Sequence, residues 1–171
     1  TRYGTVTGVQ TCALPIFELV AETSKRYVGT FWDVARSAVP TRHNRGERSV
    51  LDSPLEVAGE FSTDFSDPWQ RYQWPQVLDG PRRVVWSSVP TASSEDEILD
   101  LILKNRREGK SVIVVLPDGI GVKRLLARAK GVIPTRDIAQ LLAEQGAETR
   151  YREFLRIRTG RARTVVGNRD R

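Results

Sequence analysis

The segment Ser111-Val112-Ile113-Val114-Val115-Leu116 is the strongest β-strand pattern in the sequence and decides the fold class. It is apolar and β-branched throughout, which is typical of a parallel strand that is buried on both faces. The segment Ser94-Glu95-Asp96-Glu97 upstream reads as a capping box that opens a helix, and Gly109 ends that helix. A further helix is predicted over about residues 120–130.

The same alternation of strands and helices extends outward from this strand. The stretch Arg83-Val84-Val85-Trp86 predicts a strand before the first helix, and Ala162 to Val166 predict a last strand. Residues 136–145 suit either a helix or a strand. An amphipathic helix before the last strand carries its apolar positions at Tyr151, Phe154, Leu155 and Ile157. This order indicates right-handed βαβ units on a parallel sheet, so the expected fold is a doubly wound α/β lobe.

The N-terminal part of the chain has a different pattern. Apolar residues at spacings of three and four over 18–39 predict a helix to about Tyr27, a break at Gly29 and a second short helix before Pro40. From residue 41 to residue 66 the periodicity fades, which is typical of a linker or an irregular crossover.

Four residues of the linker region leave alternatives open. His43 is the only histidine of the chain, and without a second ligand it is expected to be a solvated linker residue rather than a metal ligand or a catalytic base. Three aromatic residues, Trp69, Tyr72 and Trp74, follow it. They either stack on bases or, as is more common, fix a linker onto the next domain.

Composition limits the classes of protein that need to be considered. The chain has 171 residues, 39% of them hydrophobic, and 27 basic against 21 acidic side chains give a net charge of +6. These values fit one domain, or one domain plus a fragment, and exclude wholesale disorder. A single cysteine excludes a disulfide framework and a cysteine-built metal site. The basic balance favours a polyanionic partner, although it also suits a merely basic surface.

Residues 1–16 have an unusual origin. The stretch Val6 to Ile16 corresponds codon by codon to a translated short-read sequencing adapter, and it lacks the basic start and apolar core of a signal peptide. We therefore set residues 1–16 aside from the fold, together with Cys12, and expect the chain to be a fragment that is open at both ends.

The loop before the first helix of the lobe is the place to look for a phosphate site, since ligands of parallel sheets bind at the carboxyl ends of strands. A phosphate-binding loop needs glycines for close backbone approach and a lysine for the β- and γ-phosphates. The corresponding stretch is Thr91-Ala92-Ser93-Ser94-Glu95, which has neither. Carboxylates at Glu95, Asp96 and Glu97 add negative charge there, so the sequence predicts a degenerate nucleotide loop that leaves ATP unbound.

Residues 17–169 resemble the primosomal protein N′ family, the replication-restart DNA helicases of bacteria, and most closely its actinobacterial branch. Five groups of segments carry the resemblance in order: Leu19-Val20-Ala21 with Tyr27 to Val34 and Ala38-Val39-Pro40; Trp69-Gln70-Arg71-Tyr72 with Gly80 to Trp86; Val112 to Asp118; Arg150 to Leu155 with Gly160; and Val165-Val166-Gly167-Asn168-Arg169.

The resemblance implies a domain plan. Residues 17–42 would be the helical end of a domain that binds DNA 3′ ends, 43–80 a linker, and 81–171 part of a RecA-like helicase lobe 1. By the same analogy, Ile138 to Leu142 would be a short strand, which decides the ambiguous region for a strand.

The resemblance also implies function. Gly167, Asn168 and Arg169 match the family's Gly-Thr-Arg motif, with Asn168 in place of the usual threonine, and would contact the DNA backbone. Active members carry Gly-Ser-Gly-Lys-Thr at the position of the degenerate loop, so no catalytic residue and no bound ATP, Mg²⁺ or zinc is expected in this chain. The implied partners are DNA, forked or single-stranded, together with primosome and single-strand-binding proteins in the cytoplasm, and no membrane.

Three readings follow, and the first is preferred. The chain is part of a DNA-binding replication-restart protein without ATPase or helicase activity, or of an active ATP-dependent 3′–5′ DNA helicase, or it is a generic α/β binding domain unrelated to DNA. From Val122 to Arg171 the sequence contains thirteen basic and five acidic residues, and this positive balance favours contact with phosphates. For Arg152, Arg156 and Arg163 taken singly, a solvated face is the better interpretation.

Overall fold

The computed structural model of the chain describes residues 10–27, 29–54, 85–88 and 93–168. The chain divides into two compact units, of which the first ends at His43 and the second begins at Asn44. The described elements, in chain order, are α1 (Gln10–Tyr27), α2 (Phe31–Ala38), α3 (Asn44–Leu51), α4 (Ser94–Arg107), β1 (Val112–Leu116), α5 (Gly119–Ala129), β2 (Ile138–Leu141), α6 (Ala147–Arg158) and β3 (Thr164–Asn168).

The first unit is a pair of helices, as the periodicity predicts. Helix α1 ends at Tyr27, and the side chain of Thr30 caps α2 by accepting a hydrogen bond from the backbone N–H of Asp33. The rings of Phe17 and Phe31 lie 4.6 Å apart between the two helices. Helix α1 begins at Gln10, so it extends into the stretch that the sequence analysis sets aside.

The second unit is built on a three-stranded parallel sheet with the strand order β1-β3-β2. The crossovers from β1 to β2 and from β2 to β3 run in opposite directions across this sheet. Right-handed connections then place α5 and α6 on opposite faces. The prediction of an α/β fold with a parallel sheet is confirmed, and so is the short strand at Ile138, which ends at Leu141.

The main core lies between the sheet and the two helices α4 and α5. Alternate β1 residues (Val112, Val114, Leu116) point toward this layer, where Ile102 and Leu125 are almost completely buried. On the other face, α6 packs against β2, and Val50 of α3 joins Tyr151 and Leu155 of α6 in a smaller cluster.

The prediction that the Ser111–Leu116 strand is buried on both faces is wrong. Among the described strands β1 lies at an edge, and Ile113 and Val115, which share one face, are 74% and 67% exposed. The central position belongs to β3, whose residues are buried from Thr164 to Gly167. Helix α6 covers β2 but leaves this face of β1 open to solvent.

Three local predictions also need correction. The strand predicted at Arg83–Trp86 is not formed in its described part, because Val85 and Trp86 have irregular backbone and the Val85 side chain is 99% exposed. Residues 44–51, assigned to the irregular stretch 41–66, form α3 and pack on α6. The cap of α4 is Ser93, one residue before the predicted Ser94. The aromatic residues between 69 and 74 lie outside the described residues.

A buried ion pair ties the amino ends of the strands to α4. Arg106 donates two hydrogen bonds to the Asp137 carboxylate, from Nε at 3.0 Å and from Nη2 at 2.9 Å, and both side chains are 1% exposed. Thr164 donates a third hydrogen bond to Asp137 at 3.0 Å, and Arg106 Nη1 donates to the carbonyl oxygen of Lys110. Every charged group of this network therefore has its partners, as burial requires.

Candidate nucleotide and DNA sites at the carboxyl edge

The carboxyl ends of the strands form the edge where a ligand site is expected. A groove of about 350 Å³ opens there between the start of α4 and the end of β1. Its lining is mixed in character and comprises Ser94, Glu95, Ile98, Leu116, Pro117, Asp118, Ile120, Gly121, Arg124 and Leu125. The structure thus brings the described part of the predicted nucleotide loop to a groove at the end of a strand.

The N-terminus of α4 is occupied by the chain's own carboxylate. The hydroxyl groups of Ser93 and Ser94 both donate to Oε2 of Glu95 at 3.2 Å, while Ser93 accepts from the backbone N–H of Asp96. The pKa of Glu95 lies below its ordinary value because its own backbone N–H and the Ser94 hydroxyl stabilise the charged form, with Arg124 adding attraction. A phosphate at this helix end would meet a negative charge that is already hydrogen-bonded.

This arrangement gives a pH-dependent prediction. The NMR titration of the Glu95 side-chain carboxyl carbon should give a pKa below the ordinary glutamate value, and Ser94→Ala should move it upward. Because the folded-state pKa is lowered, the stabilisation is present above the unfolded-state pKa and is lost as pH falls through the folded one. Lys130→Ala, which is remote from the groove, is the control and should leave the titration unchanged. An unchanged pKa in Ser94→Ala would contradict the described hydrogen bond.

Asp118 and Glu144 add further negative charge at this edge. Asp118 caps α5 by accepting a hydrogen bond from the backbone N–H of Gly121 at 2.7 Å. A Cβ atom built on Gly119 would lie 3.2 Å from Oε1 of Glu144, so that carboxylate lies beside the start of α5. The described groups near the groove are therefore mostly acidic, with Arg124 as the basic group of its lining.

Gly167 and Asn168, predicted to contact DNA, lie at the carboxyl end of β3 and make contacts within the lobe. The side-chain oxygen of Asn168 accepts a hydrogen bond from the backbone N–H of Ala143 at 3.0 Å. Gly167 faces the backbone of Leu141 so closely that a Cβ atom would lie 2.5 Å from its carbonyl oxygen. Both residues therefore help to join β3 to β2 and the loop that follows it.

Several residues named by the sequence analysis are placed differently or lie outside the described residues. Arg169, Thr91 and Ala92 are outside them, so the DNA motif and the nucleotide loop are described only in part. His43 is half-buried, and its Nδ1 has no hydrogen-bond partner. No group of three or more His, Cys, Asp or Glu residues suited to a metal ion occurs within the described ranges.

The three arginines interpreted as a solvated face have intramolecular partners. Arg152 and Arg156 contact the carboxylate of buried Glu153, at 3.4 and 2.5 Å. Arg163 donates to the carbonyl oxygen of Gly109. The contacts with Glu153 lie within α6, whereas the contact of Arg163 joins segments 54 residues apart, a role that sequence spacing alone does not reveal.

A contact that sequence analysis missed secures the entry to α4. The hydroxyl of Ser88 donates to Oε2 of Glu97 at 2.7 Å, and Glu97 is 3% exposed. The predicted capping box placed Glu97 in the first turn of the helix, as the acidic residue that completes the box. It instead ties the preceding segment to the helix, nine residues away in sequence.

The fold and this edge define the class of the second unit as a parallel α/β lobe of the type that carries ligand sites at the carboxyl ends of its strands. Comparison with known proteins agrees with the resemblance inferred from the sequence. The chain is 33% identical over 163 residues to the probable replication restart protein PriA of Mycobacterium tuberculosis (strain CDC 1551 / Oshkosh) and to that of Mycobacterium bovis, covering 91% of this chain. The PriA of Mycobacterium leprae is 31% identical over 160 residues, 89% of this chain.

These similarities confirm the resemblance to the primosomal protein N′ family, of which PriA is the other name. The chain spans about a quarter of the length of the curated relatives that it matches, 24% in each case. No protein-family model matches the chain, and no solved structure matches it. Within the described ranges, no helix combines the length and the hydropathy that crossing a membrane requires.

Proposed function

We propose that the chain is part of a replication-restart protein that acts on DNA through a helicase-like lobe without hydrolysing ATP. The similarity to PriA along nine-tenths of the chain supports the replication-restart role. The observation that supports the absence of ATP binding is the Glu95 carboxylate, which accepts hydrogen bonds from the Ser93 and Ser94 hydroxyls and from its own backbone N–H at the helix end where a triphosphate would bind. In a cell, such a protein would work in the cytoplasm with DNA, primosome proteins and single-strand-binding proteins.

The nucleotide part of this proposal predicts that Mg-ATP does not bind. The loop Thr91–Glu95 supplies no lysine as a point charge for the β- and γ-phosphates, and its acidic end repels them. Titration calorimetry of the full chain should give a Kd weaker than about 1 mM, which corresponds to less than about 4 kcal/mol of binding free energy. Micromolar binding that is lost when residues 91–95 are changed would instead support an active helicase.

The DNA part of the proposal predicts an effect of Arg169→Ala. By resemblance, Arg169 of the Gly167-Asn168-Arg169 motif would contact a phosphate. Removing it should weaken sequence-independent DNA binding and lower the slope of log affinity against log salt by about 0.7–0.9, the share of one phosphate contact. Fluorescence anisotropy with labelled oligonucleotides measures both values. Arg48→Ala, an exposed arginine on α3, is the control, and equal results for the two variants would contradict the proposed site.

A further inference from the structure

The two edges of the parallel lobe carry opposite charge. Three segments line the groove or follow strand ends at the carboxyl edge (93–97, 117–121 and 142–148), and they contain six acidic residues and no basic one. Basic side chains from the helices also reach this edge, where Arg124 lines the groove, Arg128 pairs with Asp96 and Arg150 donates to the carbonyl oxygen of Ala143. The three turns that enter the strands at the opposite, amino edge (107–111, 130–136 and 158–163) contain one acidic residue, Glu108. Their seven basic residues are Arg107, Lys110, Lys130, Arg136, Arg158, Arg161 and Arg163.

Hydrogen bonds join the three turns of the amino edge into one surface. Arg163 donates to the carbonyl oxygen of Gly109 in the first turn, and its backbone N–H donates to the carbonyl oxygen of Asp137, the residue that follows the second turn. Arg156 Nη2 donates to the carbonyl oxygen of Arg136 at 2.6 Å, which connects the end of α6 to the same turn. The buried Arg106–Asp137 pair lies beneath them. The three turns are therefore held at fixed positions relative to one another, which lowers the entropy that a bound partner would have to remove from the backbone.

The backbone of these turns is accessible to a binding partner. Each turn contains one glycine with a positive φ angle, namely Gly109, Gly131 and Gly160, at 74°, 83° and 73°. A Cβ atom built on any of them would meet nothing within 4 Å. The side chains of Arg107, Lys130, Arg136 and Arg158 are exposed around these bare stretches of backbone. A phosphate could therefore approach the backbone and several basic groups together.

Stabilisation of helix dipoles explains only some of the basic residues in the three turns of the amino edge. Basic residues in the last turns of α4 and α6 stabilise the negative ends of those helices, by about 0.3–1 kcal/mol each. Lys130 is the C-cap residue of α5 and complements the dipole of that helix in the same way, whereas Arg136, Arg161 and Arg163 lie beyond the helix ends. Arg161 donates to the carbonyl oxygens of Ser53 and Pro54, Arg163 donates to that of Gly109, and Lys110 pairs with Glu108, so these three cations have intramolecular roles. Arg107 and Arg136 also have partners within the chain, although their side chains are exposed.

We infer that the amino edge of the sheet, formed by the turns 107–111, 130–136 and 158–163, binds the phosphate backbone of DNA as a surface separate from the carboxyl edge. Charge complementarity favours this surface, because the described carboxyl-edge segments 93–97, 117–121 and 142–148 would repel phosphates, so that the contact proposed for Arg169 lies outside those segments. A DNA backbone presents regularly spaced negative charges, which suits basic groups spread over three adjacent turns. The inference rests on the proposed function for the identity of the partner.

The test compares two triple variants of the full chain that lose the same charge. The first is Lys130→Gln with Arg136→Gln and Arg158→Gln, all exposed residues of the amino edge. The control is Arg45→Gln with Arg48→Gln and Lys123→Gln, exposed residues of the same unit away from that edge. Thermal unfolding of both variants verifies that they remain folded. Anisotropy with single-stranded and duplex oligonucleotides over a salt series gives the affinity and the salt slope.

The amino-edge variant should lose at least about tenfold in DNA affinity at 0.1 M salt, and its salt slope should fall by about 2 to 3 because three phosphate contacts are removed. The control should change affinity by less than about threefold. If DNA binds but the two variants behave alike, the amino-edge site is wrong while the DNA role stands. If the intact chain binds no DNA, the proposed function fails and this site with it. Weaker binding of polyglutamate without weaker binding of DNA would overturn the inference in favour of an acidic protein partner.

Discussion

Asp137→Ala should destabilise the second unit by about 3–5 kcal/mol, the largest effect expected of any single substitution in this chain. The substitution leaves the Arg106 guanidinium buried without its counterion, and it removes the acceptor of the Thr164 hydroxyl in the central strand. Urea unfolding followed by far-ultraviolet circular dichroism measures the loss.

Two further variants separate the buried charge from other causes. Glu108→Ala removes a carboxylate from an ion pair of the same lobe that is open to solvent, and should cost far less. The double variant Arg106→Met with Asp137→Leu removes both charges and should recover most of the stability, since apolar pairs often replace buried ion pairs without loss. An Asp137→Ala protein that unfolds at the wild-type midpoint would show that the pair is not buried in solution.

Gly167→Ala should cost about 2–3 kcal/mol, the second largest effect, because the added methyl group has no room. Its Cβ atom would lie 2.5 Å from the carbonyl oxygen of Leu141, and this neighbour is backbone in the paired strand rather than a side chain that can move aside. The same unfolding measurement gives the loss of stability.

The matched control for Gly167→Ala is Gly146→Ala at the start of α6. A Cβ atom there meets nothing within 4 Å, and the backbone has φ −63°, which alanine adopts freely. Its cost should stay below about 1 kcal/mol, the usual scale for a change of N-cap residue. Equal losses in the two variants would mean that β2 and β3 adjust without cost. Gly167→Ala also tests whether this glycine, matched to a DNA motif by resemblance, is needed for strand packing.

The parts of the fold predicted correctly from the sequence are those with strong local signals. Helix α5 and the end of α4 at Gly109 follow from apolar spacing and a helix-ending glycine. Local propensity did not predict the strand β2, and its prediction came from the family resemblance. Helix α3 was missed because its eight residues contain few apolar positions, and its packing against α6 through Val50 stabilises it instead.

The open face of β1 shows a limit of pattern analysis. An unbroken apolar run suits a strand that is covered on both faces, but the cover depends on which strands lie beside it. Strand order is set by connections far along the chain, so Ile113 and Val115 have the composition of core residues without the burial.

The candidate site, like the fold, was predicted from the sequence only in part. The absence of a phosphate-loop lysine and the acidic start of α4 are visible in the sequence, whereas the hydrogen bonds from Ser93 and Ser94 to Glu95 required the structure. The partner of Arg106 lies 31 residues away at Asp137, and no local pattern connects the two. The Arg106–Asp137 pair was missed because it joins distant segments, and the contacts of Glu95 were missed because they depend on side-chain orientation.

The separation of charge between the two edges of the sheet has a kinetic consequence. The acidic residues of the described carboxyl-edge segments and the basic residues of the amino-edge turns contribute a dipole moment along the strand direction. A polyanion approaching in solution exerts a torque on such a body and turns its basic end forward before contact. More collisions with a polyanion then lead to binding than random orientation would give, so the association rate rises. Added salt shortens the range of the electrostatic field and reduces this increase.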